Sequence, residues 1–342
     1  MNFKLVLSVA LLTIAIFACN ETVKEQESFP FSENDYYIKV VAEKQIPLSS
    51  GSGITGFNHG FLIVGDDTPW MYYMDSTGVI TDSLRLSYQE GYYPGVRMDG
   101  MIKPDFESIT RLNKDIVLVM SSGSSNPARD TSYLVNAENK TVLIKQSMGD
   151  LFQAMADSAG LDDRHHLNIE GSNVAQSNLY LFNRGDFSGK NFVFKMDVTD
   201  FIAYISGHTD TLPQFETNRI KLPVFKDSEM TFSSAFYAKK FKIFAFTATS
   251  EIGGFLGLDG AVTDGVAAGT SFGFISLDGI SSPGKIPVRP ILRDGKVLPI
   301  KIEGFWPLKQ VDKRTVLFYG VSDPDDGTTV LYSLQIQFKD SI

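Results

Sequence analysis

The sequence predicts an all-β fold, a single β-propeller of five four-stranded blades, on three observations. First, a short pattern recurs: an acidic residue, a small or polar one, a β-run, a turn and a stronger β-run. It stands at Glu107-Ser108-Ile109-Thr110, Glu170-Gly171-Ser172-Asn173, Glu229-Met230-Thr231-Phe232 and Glu303-Gly304-Phe305-Trp306, and the related Ser52-Gly53-Ile54-Thr55 lacks the acid. Successive copies lie 55, 63, 59 and 74 residues apart, near the length of a four-stranded blade with its loops. Second, the stronger β-runs are apolar nearly throughout, as at Ile116–Met120, Leu179–Phe182 and Val316–Tyr319. A strand buried on both faces reads this way, and blades packed face to face produce such strands. Third, aromatic residues make up 12% of the chain and glycines number 29, a bias towards strands and turns.

The elements follow in order. Lys4 is the only charge before the apolar run Leu5–Ala18, which is too short to span a bilayer but suits a signal peptide. The only cysteine, Cys19, ends that run. Residues 1–18 therefore look like a bacterial lipoprotein signal, cut before Cys19 to leave it lipidated and anchored in a membrane. Asn20 follows where an inner-membrane retention signal has Asp, so the expected address is the cell envelope, on the outer membrane. Residues 19–35 are polar and acidic and read as a flexible tether. The propeller domain spans 36–342.

Its first unit reads as Gly53–Phe57, Phe61–Gly65, Trp70–Met74 and Val79–Leu86. The second reads as Ser108–Leu112, Ile116–Ser121, Ser132–Asn136 and Thr141–Lys145. The third holds Gly171–Ala175, Leu179–Asn183, Phe192–Asp197 and a longer stretch ending near Leu222. The fourth holds Met230–Tyr237, Phe241–Thr247, Ser271–Leu277 and Val288–Leu292. The fifth has Gly304–Leu308, Val316–Gly320 and Val330–Gln335 and then ends, one strand short. Tyr36–Ile46 is a strand without a unit, so pairing the two termini closes the ring and removes open edges. Six blades are the alternative, since the fourth unit is long. Asp150–Leu161 carries apolar residues at helical spacing and predicts one helix; residues 250–270 read as an insertion.

Composition excludes several functions. The formal net charge is −9 with no basic cluster, which argues against a nucleic-acid partner. One cysteine excludes a disulfide scaffold and a cysteine zinc site. The chain is expected to be a monomer. Gly269-Thr270-Ser271-Phe272-Gly273 has the spelling of a nucleophile elbow, but Ser271 falls inside an expected strand with no helix after it.

Propeller geometry then ranks the polar residues. First strands run along the central channel and second strands return beside them, so first-strand starts and second-strand ends share one mouth. Glu107, Glu170, Glu229 and Glu303 are expected there, as are Asp67, Arg184 and Asp186 from the following loops and Lys103. Carboxylates crowded on one axis repel unless a cation neutralises them. The four glutamates are therefore the candidate ligands of a divalent cation, calcium first, and Arg184, Lys103, Asp67 and Asp186 the candidate contacts of a small-molecule or envelope ligand.

The segments Lys103-Pro104-Asp105-Phe106-Glu107-Ser108-Ile109-Thr110, His166-Leu167-Asn168-Ile169-Glu170-Gly171 and Phe182-Asn183-Arg184-Gly185 resemble an uncharacterised bacterial lipoprotein β-propeller family. That family is similar to the phytase-like proteins described as having esterase-like activity. The resemblance implies an acidic residue opening each blade and a site at the channel mouth; the matching positions are Glu107, Glu170, Glu229 and Glu303. Two functions follow as expectations. One is an envelope lipoprotein that binds a ligand and a divalent cation through this mouth. The alternative is a metal-dependent, extracytoplasmic hydrolase of phosphate or carboxylate esters, in which the cation activates water and Arg184 and Lys103 hold the anionic group.

Overall fold

Four-stranded antiparallel sheets follow one another along the chain. The computed structural model describes residues 35–88, 91–99, 102–124, 129–162, 166–185, 190–253, 255–256, 262–263, 265–281, 286–324 and 326–340. The leader, Cys19 and the expected tether up to residue 34 lie outside the described residues, as does Asp186. Among the described residues, no helix is long and apolar enough to cross a membrane.

Strand β1 is Tyr36–Ile46. The first sheet is β2 (Gly51–Phe57), β3 (Gly60–Gly65), β4 (Trp70–Asp75) and β5 (Ile80–Arg85). The second is β6 (Phe106–Arg111), β7 (Ile116–Ser121), β8 (Thr131–Asn136) and β9 (Thr141–Ser147). The third is β10 (Ile169–Ala175), β11 (Asn178–Asn183), β12 (Asn191–Asp197) and β13 (Phe215–Ile220). Then come β14 (Thr231–Ala238), β15 (Ile243–Ile252), β16 (Val266–Ser276) and β17 (Val288–Arg293), and finally β18 (Gly304–Gln310), β19 (Thr315–Ser322) and β20 (Thr329–Phe338). Strand β1 lies antiparallel on β20, from Tyr36 opposite Phe338 to Ile46 opposite Thr329. It also pairs in parallel with β17, Ile38 opposite Ile291, which fuses the last two groups into one nine-stranded sheet.

This arrangement is propeller-like. The first strands pack on one another, β2 against β6 and β18, β10 against β6 and β14, and β14 against β18. The core lies between sheets. Val64, Phe106 and Val119 fill the space between the first and second, and Phe182, Phe232 and Phe244 that between the third and fourth. Second strands are buried on both faces, as their apolar runs predict: all six residues of β7 are buried.

One local reading holds and three change. The expected helix is α1, Gly149–Ala159, ending on Gly160 in the left-handed region (φ 61). A second helix, α2 (Val198–Ile205), stands where the sequence reads as a long fourth strand. The Asp197 side chain caps it by accepting from Thr199 N and Asp200 N. A short helix, α3 (Leu277–Ser281), follows β16. The 250–270 insertion includes extensions of two strands: β15 runs on to Ile252, β16 starts at Val266, and the short strands Phe255–Leu256 and Val262–Thr263 pair between them.

Candidate functional site

A backbone irregularity recurs where each first strand starts. Pairing between first and second strands slips by one residue between Gly51 and Gly53, Phe106 and Ser108, Ile169 and Gly171, and Phe232 and Ser234. The extra residues are Ser52, Glu107, Glu170 and Ser233. In the last sheet Glu303 N and the paired Gly304 both face Val321, so Glu303 takes the equivalent place. A β-bulge turns the extra side chain out of the sheet's alternation, a device common beside binding sites.

Glu107, Glu170 and Glu303 are therefore equivalent, and they are 8%, 2% and 5% exposed. Glu229 is not one of them. It lies in a two-residue hairpin, Val224–Phe225 with Ser228–Glu229, four residues before the bulge, and Ser233 holds the position expected for it. In the first sheet the equivalent residue is Ser52. The error has a physical source: Glu229 and Ser233 both precede short polar-to-apolar runs, and only pairing with β15 sets the register.

The second-strand ends join the same mouth. Asp105 N donates to Asp66 O and Ile169 N to Ser122 O, so β6 and β10 each start on the end of the preceding sheet's second strand. Lys103 Nζ lies 2.5 Å from Asp66 Oδ2, 3.1 Å from Asp67 Oδ1 and 3.1 Å from Asp105 Oδ1. Arg97 Nε lies 2.6 Å from Asp67, and Arg129 Nη1 lies 3.2 Å from Asp105, which also accepts from Ser122 Oγ. Beyond them, Arg184 donates to Glu170 (3.1 Å) and to Glu251, and Lys301 Nζ lies 2.6 Å from Glu303 Oε1. With Asp323, eight carboxylates face five bases.

Lys103 and Arg184 are thus held by carboxylates of the chain itself, not presented to an anionic ligand, and Asp67 is already bonded to Arg97, Lys103 and Ser50. Asp66, Asp105, Lys301 and Glu251 complete the site; the loops after the second strands were expected to bring Asp66 and Glu251 here, whereas Asp105 and Lys301 were not singled out by sequence. One usable signal was the matched spelling Lys301-Ile302-Glu303 and Lys103-Pro104-Asp105, a base two residues before an acid.

Glu107 differs from its neighbours. Its side chain has no hydrogen-bond or ion-pair partner among the described residues. A carboxylate oxygen of Glu107 lies within 4.8 Å of one on Asp66 and one on Asp105. Burial, followed by the carboxylates of Glu170, Asp105, Asp66 and Glu303, holds its proton well above the usual range. Burial also raises Glu303, despite Lys301. Asp66 is pushed up to about 7 by burial, against the Lys103 ammonium and with the help of Asp67 and Asp105. Asp105 is more buried than Asp66 but is lowered, because Lys103, Arg129 and Ser122 together overcome the burial. Lys103 keeps its proton more tightly than usual, since three carboxylates outweigh its own burial.

The fold and mouth define a propeller-like all-β protein with a buried, acid-rich cluster of side chains. The chain belongs to a family of unknown function (DUF6929), whose model matches residues 47–336. That description carries no activity, phytase-like or other. No curated protein matches the chain. Among solved structures it is similar to glutaminyl cyclase of Myxococcus xanthus, at 7% identity and TM-score 0.49, covering 89% of this chain and 98% of that one. It is also similar to an α-L-arabinofuranosidase of Podospora anserina in complex with cellotriose, at 9% and 0.45, covering 87% and 96%. A third is the β-propeller domain of Nup133 from Vanderwaltozyma polyspora, at 10% and 0.34, covering 82% and 70%. Likenesses at this level say nothing of substrate or chemistry here.

Proposed function

We propose that the chain is a binding protein, a five-bladed propeller closed by its N-terminal strand, that receives a cationic group at the acidic mouth. Pairing of β1 with β20 supports the closure, and packing of β2 between β6 and β18 supports five blades over six. The observation that carries the function is Glu107, a buried carboxyl group without a partner, beside carboxylates that already exceed their bases. Such a group is costly to bury and is stabilised by an incoming positive charge. On the leader's reading, lipid on Cys19 would hold this mouth in the cell envelope.

A second reading, a divalent ion, is favoured by one grouping: Asp66, Asp105 and Glu107 each offer an oxygen within 4.8 Å of the others. Hard cations such as calcium take oxygen ligands of this kind. The ester-hydrolase alternative goes with this second reading, because the ion would be what activates water. Calorimetric titration with calcium chloride, on the wild type and on Glu107→Gln, tests the cation site. Saturable binding weakened by the substitution is the expected result; calcium that binds both alike would place any site elsewhere.

A further inference from the structure

We infer that the cation received at the mouth is a primary ammonium group on a slender aliphatic chain, a lysine side chain of a polypeptide or a free alkyl diamine. The inference rests on the cation-binding reading and narrows it.

The chain itself supplies the precedent. It threads two ammonium groups into this mouth on four-carbon stems. Lys103 Nζ meets Asp66, Asp67 and Asp105, and Lys301 Nζ meets Glu303 and, at 3.9 Å, Glu251. Their side chains are only 14% and 9% exposed. Lys103 meets three carboxylates at 2.5 to 3.1 Å, as the three donors of one small ammonium can, whereas the guanidinium of Arg184 meets two. Glu107 lies among the carboxylates of both groups and has no such partner.

The acceptors left over match the same chemistry. Besides the Glu107 carboxylate, Asp66 Oδ1 and Glu303 Oε2 are buried and accept no hydrogen bond. The Glu107 carboxylate and Asp66 Oδ1 lack donors, and an ammonium has N–H bonds to give to both residues. A quaternary ammonium has none to give. Access to a side chain as buried as Glu107 also favours a thin, unbranched stem.

The test is calorimetric titration of the full chain with 1,5-diaminopentane and with acetyl-Gly-Lys-Gly-amide, whose only charge is its lysine. Tetramethylammonium chloride, acetyl-Gly-Gly-Gly-amide and calcium chloride are run beside them. The variants are Glu107→Gln, which keeps the shape, and Glu138→Gln, at an exposed residue bonded to Asn58. We expect one equivalent of diamine or lysine peptide to bind, at least tenfold more weakly in Glu107→Gln and unchanged in Glu138→Gln, with no tetramethylammonium binding. Diamine alone identifies a free amine, and the peptide identifies a polypeptide source. If calcium binds through Glu107 and neither amine does, this inference falls and the cation site stands. If none binds, both fall. Amine binding that tetramethylammonium matches, or that Glu107→Gln leaves intact, also overturns it.

Discussion

Gly304 stands directly against Ser52: a Cβ at Gly304 would come to 2.7 Å from the Ser52 carbonyl oxygen and 3.0 Å from Ile54 N. The same contact recurs around the axis. A Cβ at Gly53 would meet Ile109 N at 3.1 Å, and one at Gly171 would meet Ala235 N at 3.0 Å. The small residue after each bulge therefore lets neighbouring first strands approach. Backbone cannot swing aside as a side-chain tip can. We expect Gly304→Ala to cost about 1–3 kcal/mol in urea unfolding and to cost more than Gly171→Ala, whose nearest atom lies farther off. Equal, negligible losses would show that these strands have room to separate.

Strand β1 carries a second prediction. It covers the outer edge of β20 along ten residue pairs and also bonds to β17, and Tyr36 Oη donates to Phe272 O. A chain beginning at Pro47 leaves β20 with an open edge and takes the buried Ile38 and Ile46 out of the core. Open edges invite pairing with other chains. The shortened protein is expected to melt lower and to aggregate on size-exclusion chromatography. Adding a synthetic peptide of residues 36–46 should reverse part of both effects.

Much of this was legible in the sequence, and for identifiable reasons. The apolar second strands and the unpaired strand at each end announce the sheets, because burial on both faces leaves a continuous apolar run. Glu107, Glu170 and Glu303 were legible because each is followed by the small residue that the close approach of first strands demands. Glu229 imitates the acid but sits before a hairpin, and strand register depends on partners distant in sequence. The ion pairs were hidden for the same reason: Arg184 meets Glu251 across 67 residues and Lys103 meets Asp66 across 37. Helix α2 was masked by its apolar residues, Phe201, Tyr204 and Ile205, which suit a strand as well.

Lys103 holds three aspartates, so removing its charge should be severe. In Lys103→Met, Asp66, Asp67 and Asp105 lose a shared counter-ion that lies 2.5 to 3.1 Å away. Breaking a buried pair from one side costs about 3–5 kcal/mol. Asp66 is the partner with least other support, because Asp67 keeps Arg97 and Asp105 keeps Arg129 and Ser122. Adding Asp66→Asn to Lys103→Met is therefore expected to recover part of the loss, and adding an exposed change such as Asp82→Asn is not. A double-mutant cycle by chemical denaturation measures the coupling. Strict additivity of the Lys103 and Asp66 changes would contradict the arrangement.

The last prediction concerns pH. Glu107, Glu303 and Asp66 all hold protons above the ordinary carboxylate range, Asp66 to about 7. For such groups the folded protein binds protons that the unfolded chain has already released. Their contribution is full below the unfolded value of about 4 and is lost as pH rises through the raised folded values. Asp105 is lowered and acts oppositely: its contribution is present above about pH 4 and disappears in acid. The melting temperature should therefore fall from about pH 5 to pH 8 on account of the first three groups. Glu107→Gln removes one of them without adding charge or volume. At pH 7.5 the variant is expected to be more stable than the wild type, and near pH 4.5 the two should converge. Denaturant unfolding at both pH values decides it. A variant less stable than the wild type at pH 7.5 would mean that the Glu107 carboxylate has a stabilising partner in the free protein, and the case for a cation arriving from outside would go with it.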